Sequence, residues 1–132
     1  ATETALDLVR PLGFSIDDRQ VRRAGLDYWP YVDLHIHDSL SDFMAEYGDR
    51  RMWLATTKGE RLYTQADFAD GDFILFGRET KGLPRDFIAE HQDTVIRIPM
   101  SVSTRTRSFN LANSANIILF EALRQLGFPG LK

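Results

Sequence analysis

The chain has 132 residues, no cysteine, 43% hydrophobic residues and a formal net charge of −3. That is enough material for one domain, residues 1–132, with a real core. It excludes disulfides, thiolate metal sites and a membrane-spanning helix, because no apolar run reaches about 18 residues, and it weighs against a nucleic-acid binder that works through net charge alone.

The predicted elements follow in chain order. The chain opens on Ala1, not Met, so a missing or processed N-terminus is expected. Residues 5–10, "ALDLVR", alternate and read as a strand stopped at Pro11. "DDRQVRRAG" (17–25) has acids first, arginines last and Gly25 as a stop, the signature of a short helix. "VDLHI" (32–36) is a weak strand. "SLSDFMAEYG" (39–48) is a helix with Ser39 as N-cap and Gly48 as its end. "RMWLATT" (51–57) is a strand that runs into a polar loop containing Gly59. "DFILF" (72–76) is a buried strand, "LPRDFIAEH" (83–91) a helix with Pro84 near its first turn, and "TVIRIP" (94–99) a strand closed by Pro99. "SFNLANSANIILFEALRQLG" (108–127) is the long final helix; Ile117, Ile118, Leu119, Phe120, Ala122 and Leu123 cover nearly its whole circumference, which fits either a side that meets another subunit or a central helix of the monomer. Strands alternating with helices argue for an α/β fold with a mostly parallel sheet flanked by helices. In such sheets ligands sit beyond the carboxyl ends of the strands.

Three strand ends carry loop chemistry. "LFGRETKGLP" (75–84) surrounds one carboxylate, Glu79, with Gly77, Gly82 and Pro84. Those glycines allow a ligand to come close to the backbone, and they serve a plain strand-to-helix turn equally well. "RSFNLANSAN" (107–116) crowds small and amide side chains at a helix start, where free N–H groups bind acceptors. Capping by Ser108 or Asn110 explains one such residue but not the cluster. "LATTKGE" (54–60) ends the strand at 51–57, and "IRIPMSVSTRTRSFN" (96–110), which leads into that helix start, ends the strand at 94–99. His35 and His37 share a strand face by their spacing, with no third metal ligand nearby, and His91 suits a helix end. Arg19, Arg22 and Arg23, Arg50 and Arg51, and Arg105 and Arg107 are local basic clusters that suit phosphate or an ordinary solvated face. No dinucleotide fingerprint, P-loop or nucleophile elbow occurs.

"LFGRETKGLP", then "IRIPM", then "RSFNLANSANIILFEALRQLG" resembles the C-terminal signature of the SPOUT (α/β-knot) RNA methyltransferases. "SIDDRQVRRAGLDYW" and "LATTKG" make the chain similar to the small tRNA 2′-O-methyltransferases that act on the cytidine or uridine at the wobble position of leucine tRNAs. The likeness covers essentially the whole chain. It departs at the start: family members begin with a strand and a helix carrying a P-x-N-x-G-N…R segment, and "ATETALDLVRPLGF" resembles their second strand.

The resemblance implies a C-terminal deep trefoil knot, a homodimer paired through the final helix, a cytoplasmic enzyme, and S-adenosylmethionine as methyl donor, with no metal. It implies that Ala55 and Thr56 end one strand at the cofactor, that Gly77, Glu79 and Gly82 shape the second loop, that Ile98 and Met100 offer backbone groups to the adenine, and that Ser108 and Leu111 close the third loop. Ser108, Asn110 and Glu79 are the implied catalytic residues: the first two orient the hydroxyl or the cofactor carboxylate, and the third positions a basic partner or the cofactor. Arg22, Arg23 and Arg107 are the arginines expected to hold the phosphates of the tRNA anticodon stem-loop. Two other readings stay open from sequence: a module of the same fold that binds RNA or cofactor without catalysis, and a flavodoxin-like nucleotide-binding domain, which leaves "RSFNLANSAN" after "IRIPM" unexplained.

Overall fold

The computed structural model describes residues 1–12, 29–79, 81–103, 105 and 108–132. The helix expected at 17–25 and the arginines Arg19, Arg22, Arg23 and Arg107 lie outside the described residues. The chain divides into two units, Ala1–Asp49 and Arg50–Lys132.

In the first unit, β1 (Leu6–Val9) pairs parallel with β2 (Leu34–His37), with Leu6 opposite Leu34 and Val9 opposite His37. The second strand therefore begins and ends later than the sequence pattern suggested. Helix α1 (Leu40–Tyr47) follows, and the Ser39 hydroxyl accepts from the Asp42 N–H at 3.1 Å, as the N-cap reading requires. Gly48 ends the helix in a right-handed conformation, not a left-handed one. It is glycine for another reason: a Cβ there would collide with the Met44 carbonyl oxygen. His37 is buried against Phe43 and Tyr47, and its Nε2 bonds the Asp7 carboxylate at 2.7 Å.

The second unit holds a four-stranded parallel sheet of order β4-β6-β3-β5. Its strands are β3 (Met52–Ala55), β4 (Arg61–Leu62), β5 (Phe73–Phe76) and β6 (Val95–Arg97). Helix α2 (Arg85–Glu90) lies between β5 and β6, with Pro84 at its N-cap, and α3 (Leu111–Gln125) closes the chain. β5 forms one edge of this sheet and is half-buried throughout, not fully covered. β6 is shorter than expected: residues 92–94 form a 3-10 turn before it, and Ile98 and Pro99 lie beyond its end.

Side chains alternate across the strands. Trp53 and Ile96 join Ala66, Phe68, Ile118 and Ala122 in the core, with Ala55, Ile74, Phe76 and Ile98 packed on the cluster. That face is the one α3 covers, through Ile118 and Ala122. Gln125 fixes the helix further: its amide donates to the Ala66 carbonyl at 2.8 Å, and its carbonyl accepts from the Phe68 N–H at 2.9 Å. The helix ends in a Schellman motif, with Phe128 N–H on the Leu123 carbonyl, Gly127 N–H on the Arg124 carbonyl and Gly127 at φ +82°. No helix among the described residues is long and apolar enough to cross a membrane.

Candidate active site

Because β5, β3 and β6 are adjacent and parallel, their carboxyl ends lie along one edge of the sheet. Ala55 stands opposite Phe76 on one side and Ile96 on the other. The loops at 55–59, 77–82 and 98–111 therefore all leave from the same edge, which is where a doubly bordered parallel sheet offers a ligand site.

The first loop is folded tightly onto β6. Thr56 N–H donates to the Ile96 carbonyl at 2.9 Å, and the Thr56 hydroxyl accepts from the Lys58 N–H at 3.1 Å. Gly59 is buried: a Cβ there would stand 3.0 Å from Val95 Cγ1 and 3.1 Å from the Ile96 carbonyl carbon.

The second loop doubles back on itself. Gly82 N–H donates to the Arg78 carbonyl at 2.8 Å, and Arg78 and Gly82 form an antiparallel bridge. Gly82 sits at φ +67°, the left-handed region that favours glycine. Gly77 was expected to be glycine because cofactor would occupy its side-chain space. The structure gives a nearer cause: a Cβ on Gly77 would collide with the backbone of Gly82 and Leu83. The close approach is between two stretches of this same loop. Glu79 and Lys81 are exposed at the turn, and among the described residues Glu79 has no hydrogen-bond or ion-pair partner.

The third loop leaves β6 through Ile98, which packs on the core, and half-buried Met100. A Ser101–Ser103 turn follows, with the two hydroxyls 2.9 Å apart. Ser108, Phe109 and Asn110 are exposed before α3. Asn110 is the N-cap: its side-chain carbonyl accepts from Ala112 N–H at 2.9 Å and Asn113 N–H at 3.3 Å. The helix begins three residues later than the pattern suggested, and the Asn110 carbonyl oxygen, expected to orient substrate, is engaged in starting it. Ser108 has no partner among the described residues, and Leu111 is exposed in the first turn.

The side chains at this edge fit an adenosylated amino acid in kind. Ile98, Met100 and Leu111 are apolar enough for a purine, and Glu79 and Ser108 are polar groups suited to hydroxyl and ammonium. Arg97, which sequence reading passed over, stands at the carboxyl end of β6 and is half-buried. Its only signal in the sequence is a single charge inside the apolar run "VIRI".

Two of the three perturbed ionisations among the described residues lie at the other end of the sheet; the third is Arg124 of α3, raised by its hydrogen bond to Glu121. Arg51 precedes β3 and Asp72 precedes β5. The Asp72 carboxylate accepts from Arg51 at 2.8 Å, from the Trp53 indole N–H at 2.9 Å and from Ala69 N–H at 2.9 Å. Burial pushes the Asp72 carboxyl up, but these donors outweigh it and hold it below its ordinary value. The hydrogen bond to Asp72 raises Arg51 in turn. This pair fastens the amino ends of two strands and is not part of the loop cluster. The histidines have partners of their own. His35 pairs with Asp33 at 2.9 Å, His37 with Asp7, and His91 Nδ1 lies 2.8 Å from the Phe87 carbonyl oxygen.

Comparison with known proteins identifies the family. A Geobacillus stearothermophilus protein provisionally named tRNA (cytidine(34)-2′-O)-methyltransferase is 49% identical over 134 residues, covering 99% of this chain and 84% of its own. A Methylovorus glucosotrophus tRNA (cytidine(34)-2′-O)-methyltransferase is 44% identical, covering 98% of this chain and 83% of its own. Among solved structures, one described as giving insights into the 2-OH methylation of C/U34 on tRNA matches with a TM-score of 0.82 at 40% identity, over 93% of this chain and 79% of that one. An AdoMet-bound rRNA methyltransferase from Sinorhizobium meliloti matches with a TM-score of 0.76 at 25% identity, over 92% of this chain and 46% of that one. With the SpoU rRNA Methylase family model matching residues 1–120, through both units, the chain belongs to that family of methylases.

Proposed function

We propose that this protein transfers a methyl group from S-adenosylmethionine to the ribose 2′-hydroxyl of the nucleotide at position 34 of tRNA. The observation that carries the reading is near-full-length likeness to proteins named for that reaction, together with three loops leaving adjacent carboxyl ends of one parallel sheet. The family match runs through both units, which supports treating residues 1–132 as one methyltransferase domain.

S-adenosylmethionine, when bound, supplies a methyl on a sulfonium whose thioether leaves readily. What remains for the protein is alignment and removal of the hydroxyl proton. Ser108 orients the ribose hydroxyl, and Glu79 holds a cationic or hydroxyl group at the second loop. The backbone at Ala55, Thr56, Gly77, Ile98, Met100 and Leu111 lines the cofactor. Gly82 acts by shaping the loop, and Asn110 acts by starting α3, which sets the direction of the first-turn N–H groups.

The trefoil knot, the cytoplasmic location and the homodimer belong to the same reading. Phe120 is the most exposed large apolar residue of α3, at 48%, whereas Ile117 and Leu123 are half-buried, so Phe120 is the residue we place at the partner. Arg22, Arg23 and Arg107 are proposed, on sequence alone, to hold tRNA phosphates. Methyl transfer to a leucine tRNA, with another tRNA beside it, tests the reading. Methylation at position 34 of the leucine tRNA is the expected result, and equal methylation of both would refute the leucine preference alone.

A further inference from the structure

Among the described residues, nine arginines occur, and Arg97 alone is not exposed. It follows Val95 and Ile96, both buried, and precedes Ile98, which packs on the core. Its strand neighbour is Leu62 of β4. The other arginines that touch the sheet have acceptors: Arg51 has Asp72, and Arg61 donates to the Asp93 carbonyl at 2.7 Å. The Arg97 side chain has no hydrogen bond and no ion pair among the described residues.

A guanidinium stays charged at any working pH and carries five N–H donors. Drawing it partly out of water without an acceptor is unfavourable. Its planar fork matches the two oxygens of a carboxylate or a phosphate. Arg97 ends β6 at the edge from which all three candidate loops leave, one residue before the third loop begins. We propose that Arg97 is an oxyanion-binding residue of the candidate active site, taking a phosphate of the RNA substrate or the carboxylate of the cofactor. The proposal rests on the methyltransferase reading. The competing explanation is that Arg97 only packs its aliphatic stem on the sheet with its head in water.

Arg97→Met keeps the stem and removes the charge, and Arg97→Lys keeps the charge and loses the fork. Wild type and both variants are titrated with S-adenosylhomocysteine and, over a series of salt concentrations, with a tRNA anticodon stem-loop. If wild type binds neither ligand, the methyltransferase reading itself fails and this proposal with it. If wild type binds, Arg97→Met is expected to weaken one ligand at least tenfold. A phosphate contact lowers the log–log salt slope for RNA by about one and leaves S-adenosylhomocysteine unchanged. A carboxylate contact weakens S-adenosylhomocysteine and leaves the RNA slope unchanged. Should Arg97→Met fail to fold, Arg97→Lys decides, with at least a threefold loss expected for the same ligand. Variants that bind both ligands as wild type does overturn the proposal.

Discussion

Gly77 and Gly82 stand in one loop and are glycine for different reasons. At Gly77 a side chain meets backbone, and at Gly82 it meets nothing but the backbone angle disfavours it. Gly77→Val is therefore expected to disrupt the loop itself, lowering the melting temperature and abolishing S-adenosylhomocysteine binding together. Gly82→Ala should cost about 1 kcal/mol, the penalty of a left-handed alanine. Thermal melts of the two variants check this, and a Gly77→Val protein that melts like wild type would contradict it. Asp72 gives a pH prediction. Its carboxyl is held below the unfolded value, so its stabilisation is fully present above about pH 4 and is lost as pH falls through the folded value. Asp72→Asn should lower stability by about 2 kcal/mol at pH 7, since a buried charged acceptor for Arg51 and Trp53 is removed. It should cost much less at pH 2. Urea midpoints at the two pH values test this, and an equal deficit at both would refute the linkage.

At the scale of elements, α3 shows how one helix divides its faces. Ile118 is fully buried and Phe120 is 48% exposed, two residues apart. Ile118→Ala should destabilise by about 3 kcal/mol, the cost of a core cavity. Phe120→Glu should change monomer stability by less than about 0.5 kcal/mol and convert a dimer to monomer in sedimentation. A Phe120→Glu protein that still sediments as a dimer would remove Phe120 from the interface. The sequence had made this helix legible through its apolar run and its Asn and Gly ends, but an apolar run does not say which side is left uncovered. β4 was illegible because two residues have no period, and it exists only through pairing with β6. Strand order was equally hidden, since β3 pairs with β6 from about forty residues on. The loops of the site were readable as Gly, Ser and Asn at strand ends. Their local duties were not: Asn110 caps α3, Gly77 makes room for Gly82 and Leu83, and Arg97 stands without an acceptor among the described residues.

At the scale of the molecule, the parallel order β4-β6-β3-β5 aligns three loops that are far apart in the chain. The ionic pair of Arg51 and Asp72 secures the opposite end of the sheet, away from the loops proposed to hold the ligand. This separation predicts that Asp72→Asn leaves S-adenosylhomocysteine affinity unchanged under conditions where the protein is folded. The most direct measurement of the chemistry itself is incubation of the protein with S-adenosylmethionine and unmodified tRNA, followed by mass spectrometry of nuclease fragments. One added methyl, on the ribose of nucleotide 34, is the expected result. Methylation of another nucleotide, or of a base, or no transfer by a protein that binds both S-adenosylhomocysteine and tRNA, would contradict it.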